Sequence, residues 1–217
     1  MRYVGVLVAA FTVVASAGCQ SAYYAAWEKV GYAKRDILAS RVESARDSQQ
    51  EAKEEITDAL EAFGKVVSYD GGDLQTQYDR LSDQLEDSEA AAADVKQRVR
   101  DVDSVGEALF KEWKSELAKY SSADLRSRSE QQMKKTRARY DEMIRAMKRA
   151  ESRLDPALQP MRDQVLFLKH NLNARAVAGL KGEVAKIDAQ VDQLVTELNR
   201  SIAEANRFMS DLEASGG

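Results

Sequence analysis

The 217-residue sequence contains a single cysteine, Cys19, and a single histidine, His170. A catalytic triad or a Cys/His metal site needs several such side chains held together. The sequence also has no phosphate-binding loop, nucleophile elbow or dinucleotide-binding motif. We therefore expect no enzymatic activity, no metal and no cofactor, which leaves the chemistry of Cys19 itself.

Cys19 follows a segment with the order of a signal peptide. Arg2 supplies a positive charge, residues 3–14 are almost wholly apolar, and small residues occupy positions 15–18. The apolar run of about 12 residues is shorter than the ~20 that cross a bilayer. Residues 1–18 are therefore predicted to be a lipoprotein signal peptide that precedes the mature chain, 19–217.

Two cleavage sites fit this segment. Cleavage after Ala-Ser-Ala at residues 15–17 would release a soluble protein, whereas Ala-Gly-Cys at residues 17–19 resembles the lipobox of bacterial lipoproteins. Ser16 departs from the usual leucine of a lipobox, but a free thiol would be prone to intermolecular disulfides outside the cytoplasm. We favour a lipid on Cys19. Because Gln20 replaces the aspartate that retains some lipoproteins, resemblance to Gram-negative lipoproteins implies the periplasmic face of the outer membrane.

Four aromatic residues follow the predicted anchor closely. Aromatic rings suit the interface between a membrane and water, and they equally suit packing between helices. The sequence leaves these two interpretations open for Tyr23, Tyr24, Trp27 and Tyr32.

Composition and periodicity predict long helices. The chain is 31% charged and 44% hydrophobic, and it contains two prolines. Its net charge of −4 does not favour nucleic acid as a partner. Apolar residues recur at steps of four and three, which indicates one narrow apolar seam on each helix. In the last helix the apolar residues Leu198 and Ile202 are four residues apart, where the alternation of four and three requires a spacing of three. The seam of the second helix comprises Leu74, Tyr78, Leu81, Leu85, Ser88, Ala92, Val95, Val99, Val102, Gly106, Leu109 and Trp113.

Turn-forming residues at 68–73, 120–124 and 155–160 divide the mature chain into four helices. We predict helices near 22–67, 74–119, 123–154 and 157–213, which form a single elongated domain over 19–217. Asp155-Pro156 is placed at the third break because proline favours the first position of a helix. The predicted fold is all-α, with long antiparallel helices in an elongated coiled-coil-like bundle. The third helix is expected to be short, so that part of the fourth pairs with the first helix or with another chain.

Charge is distributed unevenly along these helices. Residues 73–112 contain 11 acidic and 5 basic side chains, whereas residues 126–153 contain 10 basic and 4 acidic ones. We favour internal pairing of the two helices, because the compensating charge is next along the chain. The other interpretation is an anionic envelope ligand, a cell-wall polymer or a lipid head group, bound by Arg137, Arg139, Arg145 and Arg149.

Residues 165–177 are apolar on more than one helical face and are therefore expected to contact more than one neighbour. Polar residues lie within this segment. They predict either a small buried polar cluster or, as we favour, a packed crossing whose polar groups are satisfied. These residues are His170, Asn171, Asn173 and Arg175.

Several stretches of the mature chain resemble an uncharacterised family of proteobacterial lipoproteins, the domain of unknown function with family number 2959. The most specific is Leu-Lys-His-Asn-Leu-Asn-Ala-Arg-Ala at residues 168–176. The others are residues 19–24, 28–32, 34–37, 70–74 and 108–110. The resemblance implies a helical lipoprotein and brings no activity, ligand or catalytic residue.

These features favour a non-enzymatic, lipid-anchored envelope protein whose helices bind a protein partner or associate with a second copy. The alternative is a binding module for an anionic envelope ligand that uses the basic third helix. An adaptor of an efflux system is less favoured, because such adaptors have β-rich domains and the sequence predicts none.

Overall fold

Long α-helices make up the protein, as the periodicity predicts. The computed structural model describes residues 34–69, 71 and 73–214, and these contain no strand. Its helices are α1 (Lys34–Val67), α2 (Leu74–Glu116), α3 (Ala123–His170), the short α4 (Ala174–Gly179) and α5 (Lys181–Ala214), with a 3-10 turn at Leu117–Lys119. The all-α prediction is therefore confirmed. The predicted start of the first helix near residue 22 lies outside the described residues.

The first two breaks lie at the predicted residues, and a side chain caps the helix that follows each one. The Asp73 carboxylate accepts hydrogen bonds from the Thr76 hydroxyl at 2.6 Å and from the backbone N–H of Gln75 at 3.0 Å. The hydrogen bonds from Thr76 and Gln75 lower the pKa of Asp73. Ser122 caps α3, because its hydroxyl accepts from the Leu125 amide at 3.3 Å.

The predicted break at Asp155-Pro156 is wrong. Helix α3 continues through Pro156 and Pro160 as far as His170. The Asp155 carboxylate does not cap a new helix and instead pairs with Lys96 of α2 at 2.6 Å. The hydrogen bond from Lys96 lowers the pKa of Asp155.

Helix α3 tolerates the two prolines because its apolar seam continues past them. Leu154, Leu158 and Met161 are fully buried, and each contributes about 1.5–3 kcal/mol. Their burial offsets the ~3 kcal/mol or more lost at each interior proline. Pro156 is exposed and Pro160 is half-buried, so both rings lie away from the most buried face of the helix.

The chain reverses direction at Asn171 and Asn173 instead. The Asn171 side chain donates a hydrogen bond to the Phe167 carbonyl at 3.0 Å, and this carbonyl in the last turn of α3 thereby gains a partner. The Asn173 side chain accepts from the Ala176 amide at 3.0 Å and so caps α4. Asparagine competes well with helical hydrogen bonds in this way, and the two residues end one helix and begin the next.

The four long helices form a closed antiparallel bundle in the order α1, α2, α3, α5. At each interface the residue number rises on one helix as it falls on its partner. Contacts that show this are Lys34–Glu112 and Ser88–Glu55 for α1 and α2, Glu107–Arg137 and Glu89–Arg162 for α2 and α3, Arg139–Asp211 and Arg149–Glu197 for α3 and α5, and Arg46–Asn206 and Lys53–Asn199 for α1 and α5. The third helix is therefore not the short one. It has 48 residues and is about 72 Å long, whereas α5 has 34 and contacts both α3 and α1.

The predicted seams form the core. All members of the α2 seam from Leu81 to Gly106 are buried, and Ser88 reaches the Glu55 carbonyl of α1 at 2.9 Å. The predicted slip in the last helix is wrong, because Ser201 is fully buried and Ile202 is only half-buried. The buried positions of α5 thus keep the regular alternation: Leu198, Ser201, Ala205, Phe208 and Leu212.

Tyr140 of α3 lies against the backbone of α2 at Gly106. A Cβ atom on Gly106 would overlap the Tyr140 ring. The ring also contacts Phe110 of α2 and Phe208 of α5, with centroids 5.3 and 6.2 Å away. The phenol lies 3.3 Å from the Asp103 carboxylate, and burial raises its pKa well above the ordinary value. Three helices are therefore held in register around one aromatic ring.

Two buried polar side chains, Gln49 of α1 and Ser201 of α5, lack hydrogen-bond partners within the described residues. Both are fully buried, and the unpaired atoms are the two amide atoms of Gln49 and the hydroxyl of Ser201. Two hydrogen bonds between α1 and α5 bracket these side chains, which therefore lie at the same level of the bundle: Arg46–Asn206 and Lys53–Asn199. An unpaired buried polar group costs about 1–3 kcal/mol.

Gly106→Ala is expected to lower the free energy of unfolding by about 1–3 kcal/mol, because the added methyl group must displace the Tyr140 ring. Urea denaturation measures this change. Gly64→Ala is the matched control, because nothing lies within 4 Å of a Cβ atom there. The control is expected to be stabilising by roughly 0.5–1 kcal/mol through helix propensity. Equal effects of the two substitutions would contradict the close contact between the Tyr140 ring and the backbone at Gly106.

Gln49→Met is expected to raise the free energy of unfolding by about 1–3 kcal/mol, because it replaces an unpaired buried amide with an apolar chain of similar shape. Gln97→Met, at an exposed position of α2, is the control and should change stability by less than about 0.5 kcal/mol. Destabilisation by Gln49→Met would mean that the amide is satisfied in solution, for example by bound water.

Candidate functional site

Most of the basic residues of α3 are paired within the bundle. Arg137 forms ion pairs with Glu107 of α2 at 2.7 Å and with Asp141 at 2.8 Å. Its guanidinium also lies over the Phe110 and Tyr140 rings, at 5.0 and 5.6 Å. This cation is therefore used to hold the aromatic cluster that joins α2 to α3.

Two more of the four arginines that an anionic ligand would use are paired with α5. Arg139 lies 3.3 Å from Asp211, and Arg149 lies 3.7 Å from Glu197. Arg145 makes no ion pair with any described residue. The sequence predicts pairing with the acidic second helix, and the structure divides the pairing between α2 and α5. This arrangement favours internal neutralisation over an anionic ligand on α3.

The less favoured interpretation of residues 165–177, a buried polar cluster, is wrong. His170, Asn171, Asn173 and Arg175 are all exposed. Asn171 and Asn173 cap the helices on either side of the reversal, and His170 is the last residue of α3. These side chains shape the chain reversal and do not line an enclosed site.

The large apolar side chains that are exposed lie at the two ends of the bundle. We call the end with the α1–α2 and α3–α5 connections the distal end, and the end where α1 begins the proximal end. Leu166 and Phe167 are 62% and 45% exposed near the distal end of α3. Tyr120 and Leu125 are 43% and 53% exposed at the proximal end, around the α2–α3 connection. No other large hydrophobic residue in the described part of the chain is exposed.

The apolar pair at the distal end lies beside unpaired positive charge. Lys169, Arg175 and Lys181 are exposed and make no ion pair with the residues that the structure describes. Phe167, Asn171 and Arg175 also line a shallow open cleft between α3 and α4. We call Leu166, Phe167 and these three cations the distal surface. Residues 165–177 are expected from the sequence to contact more than one neighbour, and the exposure of Leu166 and Phe167 within this segment is visible only in the structure.

Two kinds of feature are missing from the described residues. They contain no group of three or more His, Cys, Asp and Glu side chains that could hold a metal ion. None of the described helices has both the length and the apolar character needed to cross a bilayer. Cys19 and the aromatic residues Tyr23, Tyr24, Trp27 and Tyr32 lie outside the described part of the chain.

Comparison with known proteins places the chain in a family. The sequence profile of a family described as "Protein of unknown function (DUF2959)" matches residues 23–212. The chain therefore belongs to this family, and the match covers the long helices except for the last two residues of α5. No curated protein matches the sequence.

Proposed function

We propose that this member of the DUF2959 family is a lipid-anchored helical rod that holds the distal surface away from the outer membrane, on its periplasmic side, for contact with a protein partner. One observation supports the proposal most directly: exposed large apolar side chains occur only at the two ends of the described bundle. The anchor at Cys19 and the distal surface would then be separated by the length of the rod.

The geometry suits a spacer. Helix α1 starts at Lys34 at the proximal end, 15 residues after Cys19. Its 34 residues extend about 50 Å to the distal end. A tether at Cys19 keeps the proximal end close to the membrane, and the length of the rod then allows the distal surface to reach into the periplasm.

The chemistry of the distal surface favours a partner with an acidic face around an apolar patch. Three exposed cations without ion pairs to the described residues follow Leu166 and Phe167 along the chain, and one of them, Arg175, lines the same cleft as Phe167. A second copy of the chain is the less favoured partner, because it would bring the same positive charges against each other. Two exposed apolar side chains also fall well short of the ~1,200 Å² or more that specific, stable interfaces bury. The contact is therefore expected to be a modest one, strengthened by confinement of both partners in the same compartment.

Cys19→Ala is expected to move the protein from the membrane fraction to the soluble periplasm, because the substitution removes the thiol to which the proposed lipid anchor is attached. Fractionation of cell envelopes measures this distribution. Ser16→Leu improves the lipobox and serves as the control, which should stay on the membrane. Retention of the Cys19→Ala protein on the membrane would contradict the lipid anchor.

A photoreactive amino acid at Phe167 is expected to crosslink in cells to one discrete partner, whereas the same group at Gln97, exposed on the side of α2, should not. Combining the probe with Lys169→Glu and Arg175→Glu should abolish the adduct, because the substitutions reverse the charge that attracts an acidic face. Mass spectrometry of the adduct identifies the partner surface. An equal yield at Gln97, insensitivity to the charge reversal, or an adduct with a second copy of the chain would each contradict the proposal.

A further inference from the structure

The tip of the α2–α3 hairpin is the second place where the bundle exposes apolar side chains. The hairpin tip comprises residues 113–128, which end α2, form the 3-10 turn and begin α3. Tyr120 and Leu125 are about half exposed there. The Trp113 indole and the Tyr120 phenol both donate to the Ser129 hydroxyl, at 2.9 and 3.4 Å, so the two rings are held at one side of the tip.

The charge of the hairpin tip is positive. It contains four basic residues, Lys114, Lys119, Arg126 and Arg128, and two acidic ones, Glu116 and Asp124. Glu116 pairs with Lys119 and Asp124 pairs with Arg128. Lys114 and Arg126 are left without an ion pair among the described residues, next to the exposed apolar side chains.

The tip projects past the level of Lys34, the first residue of α1 that the structure describes. Lys34 of α1 pairs with Glu112 of α2 at 2.8 Å, and residues 113–119 continue beyond that level by about 10 Å. Cys19 lies 15 residues before Lys34, a length of chain that spans at most about 50 Å. Among the described residues, the hairpin tip is therefore well placed to reach a membrane that holds Cys19.

We propose that the hairpin tip is a membrane-contact site, in which Tyr120 and Leu125 enter the interfacial layer of the bilayer and Lys114 and Arg126 contact anionic phospholipid head groups. This inference rests on the proposed tether at Cys19. Tyrosine suits the interface between head groups and acyl chains, and basic side chains are attracted to an anionic surface. The contact is weak by itself, but a tether gives the tip a high effective concentration at the bilayer.

Such a second contact orients the rod. A single attachment at Cys19 does not by itself fix the angle between the bundle and the membrane. Attachment through both Cys19 and the hairpin tip holds the proximal end at the membrane and turns the distal surface away from it.

Fluorescence quenching by lipid provides the test. The mature chain is coupled through Cys19, its only thiol, to a maleimide lipid in vesicles of phosphatidylethanolamine and phosphatidylglycerol with brominated acyl chains. Trp27→Phe and Trp113→Phe remove the natural indoles, and Tyr120→Trp supplies one reporter at the tip. Phe167→Trp, in the same background, is the matched control at the opposite end of the bundle.

The proposal predicts loss of fluorescence from the Tyr120→Trp reporter and no loss from the Phe167→Trp reporter. Adding Leu125→Ser, Lys114→Gln and Arg126→Gln, or raising the salt concentration, should restore the signal from the tip. Absence of quenching at the tip, or equal quenching at both ends, overturns the proposal. A response of the tip reporter to protein concentration without vesicles also overturns it, because the tip would then be a protein contact.

The test separates this inference from the proposed function. The tether is made chemically, so the result does not depend on acylation of Cys19 in cells. If Cys19→Ala leaves the protein on the membrane, the native lipid anchor is wrong whatever the vesicles show. If the native anchor is confirmed and the tip reporter is not quenched, only the membrane contact of the hairpin is wrong.

Discussion

The insertion of Tyr140 against Gly106 sets the register on which much of the bundle depends. The ring fits only where α2 lacks a side chain. It also contacts two other rings of the core, Phe110 of α2 and Phe208 of α5. With α3 held at that height, Arg137 reaches Glu107 and Lys148 reaches Asp103. Ion pairs on the surface contribute little each, about 0–1 kcal/mol, so they follow the register that the aromatic contacts impose.

The basic helix shows how a strong charge pattern can be structural. Ten basic residues within 126–153 resemble a binding face when the helix is considered alone. In the bundle, α3 has acidic helices on two sides, and its arginines pair with Glu107, Asp211 and Glu197. The distribution of charge therefore disfavours wrong helix pairings. Internal pairing accounts for most of the basic residues of α3, so no ligand is needed to explain them.

The features that call for a functional explanation are at the ends of the rod. Apolar side chains along the length of the bundle are largely covered by neighbouring helices, whereas Leu166, Phe167, Tyr120 and Leu125 remain exposed. Positive charge without ion pairs accompanies both groups. A rod with one apolar, basic end near the proposed lipid and another about 50 Å away has the form of a spacer between a membrane and a second binding partner.

The sequence by itself determined that the chain is helical and which residues line most of the core, because a step of 3.6 residues is a local property of each helix. The seam from Leu81 to Gly106 and the breaks at residues 68–73 and 120–124 required no knowledge of neighbouring helices. Only the tertiary structure decided where α3 ends, because burial of Leu154, Leu158 and Met161 against other helices offsets the cost of Pro156 and Pro160. It also decided that Ser201 is buried, and that Leu166, Phe167 and His170 face solvent at the end of the bundle. The exposure of a side chain depends on whether another helix extends far enough to cover it, and the length of that helix is not encoded in the residues that surround the side chain.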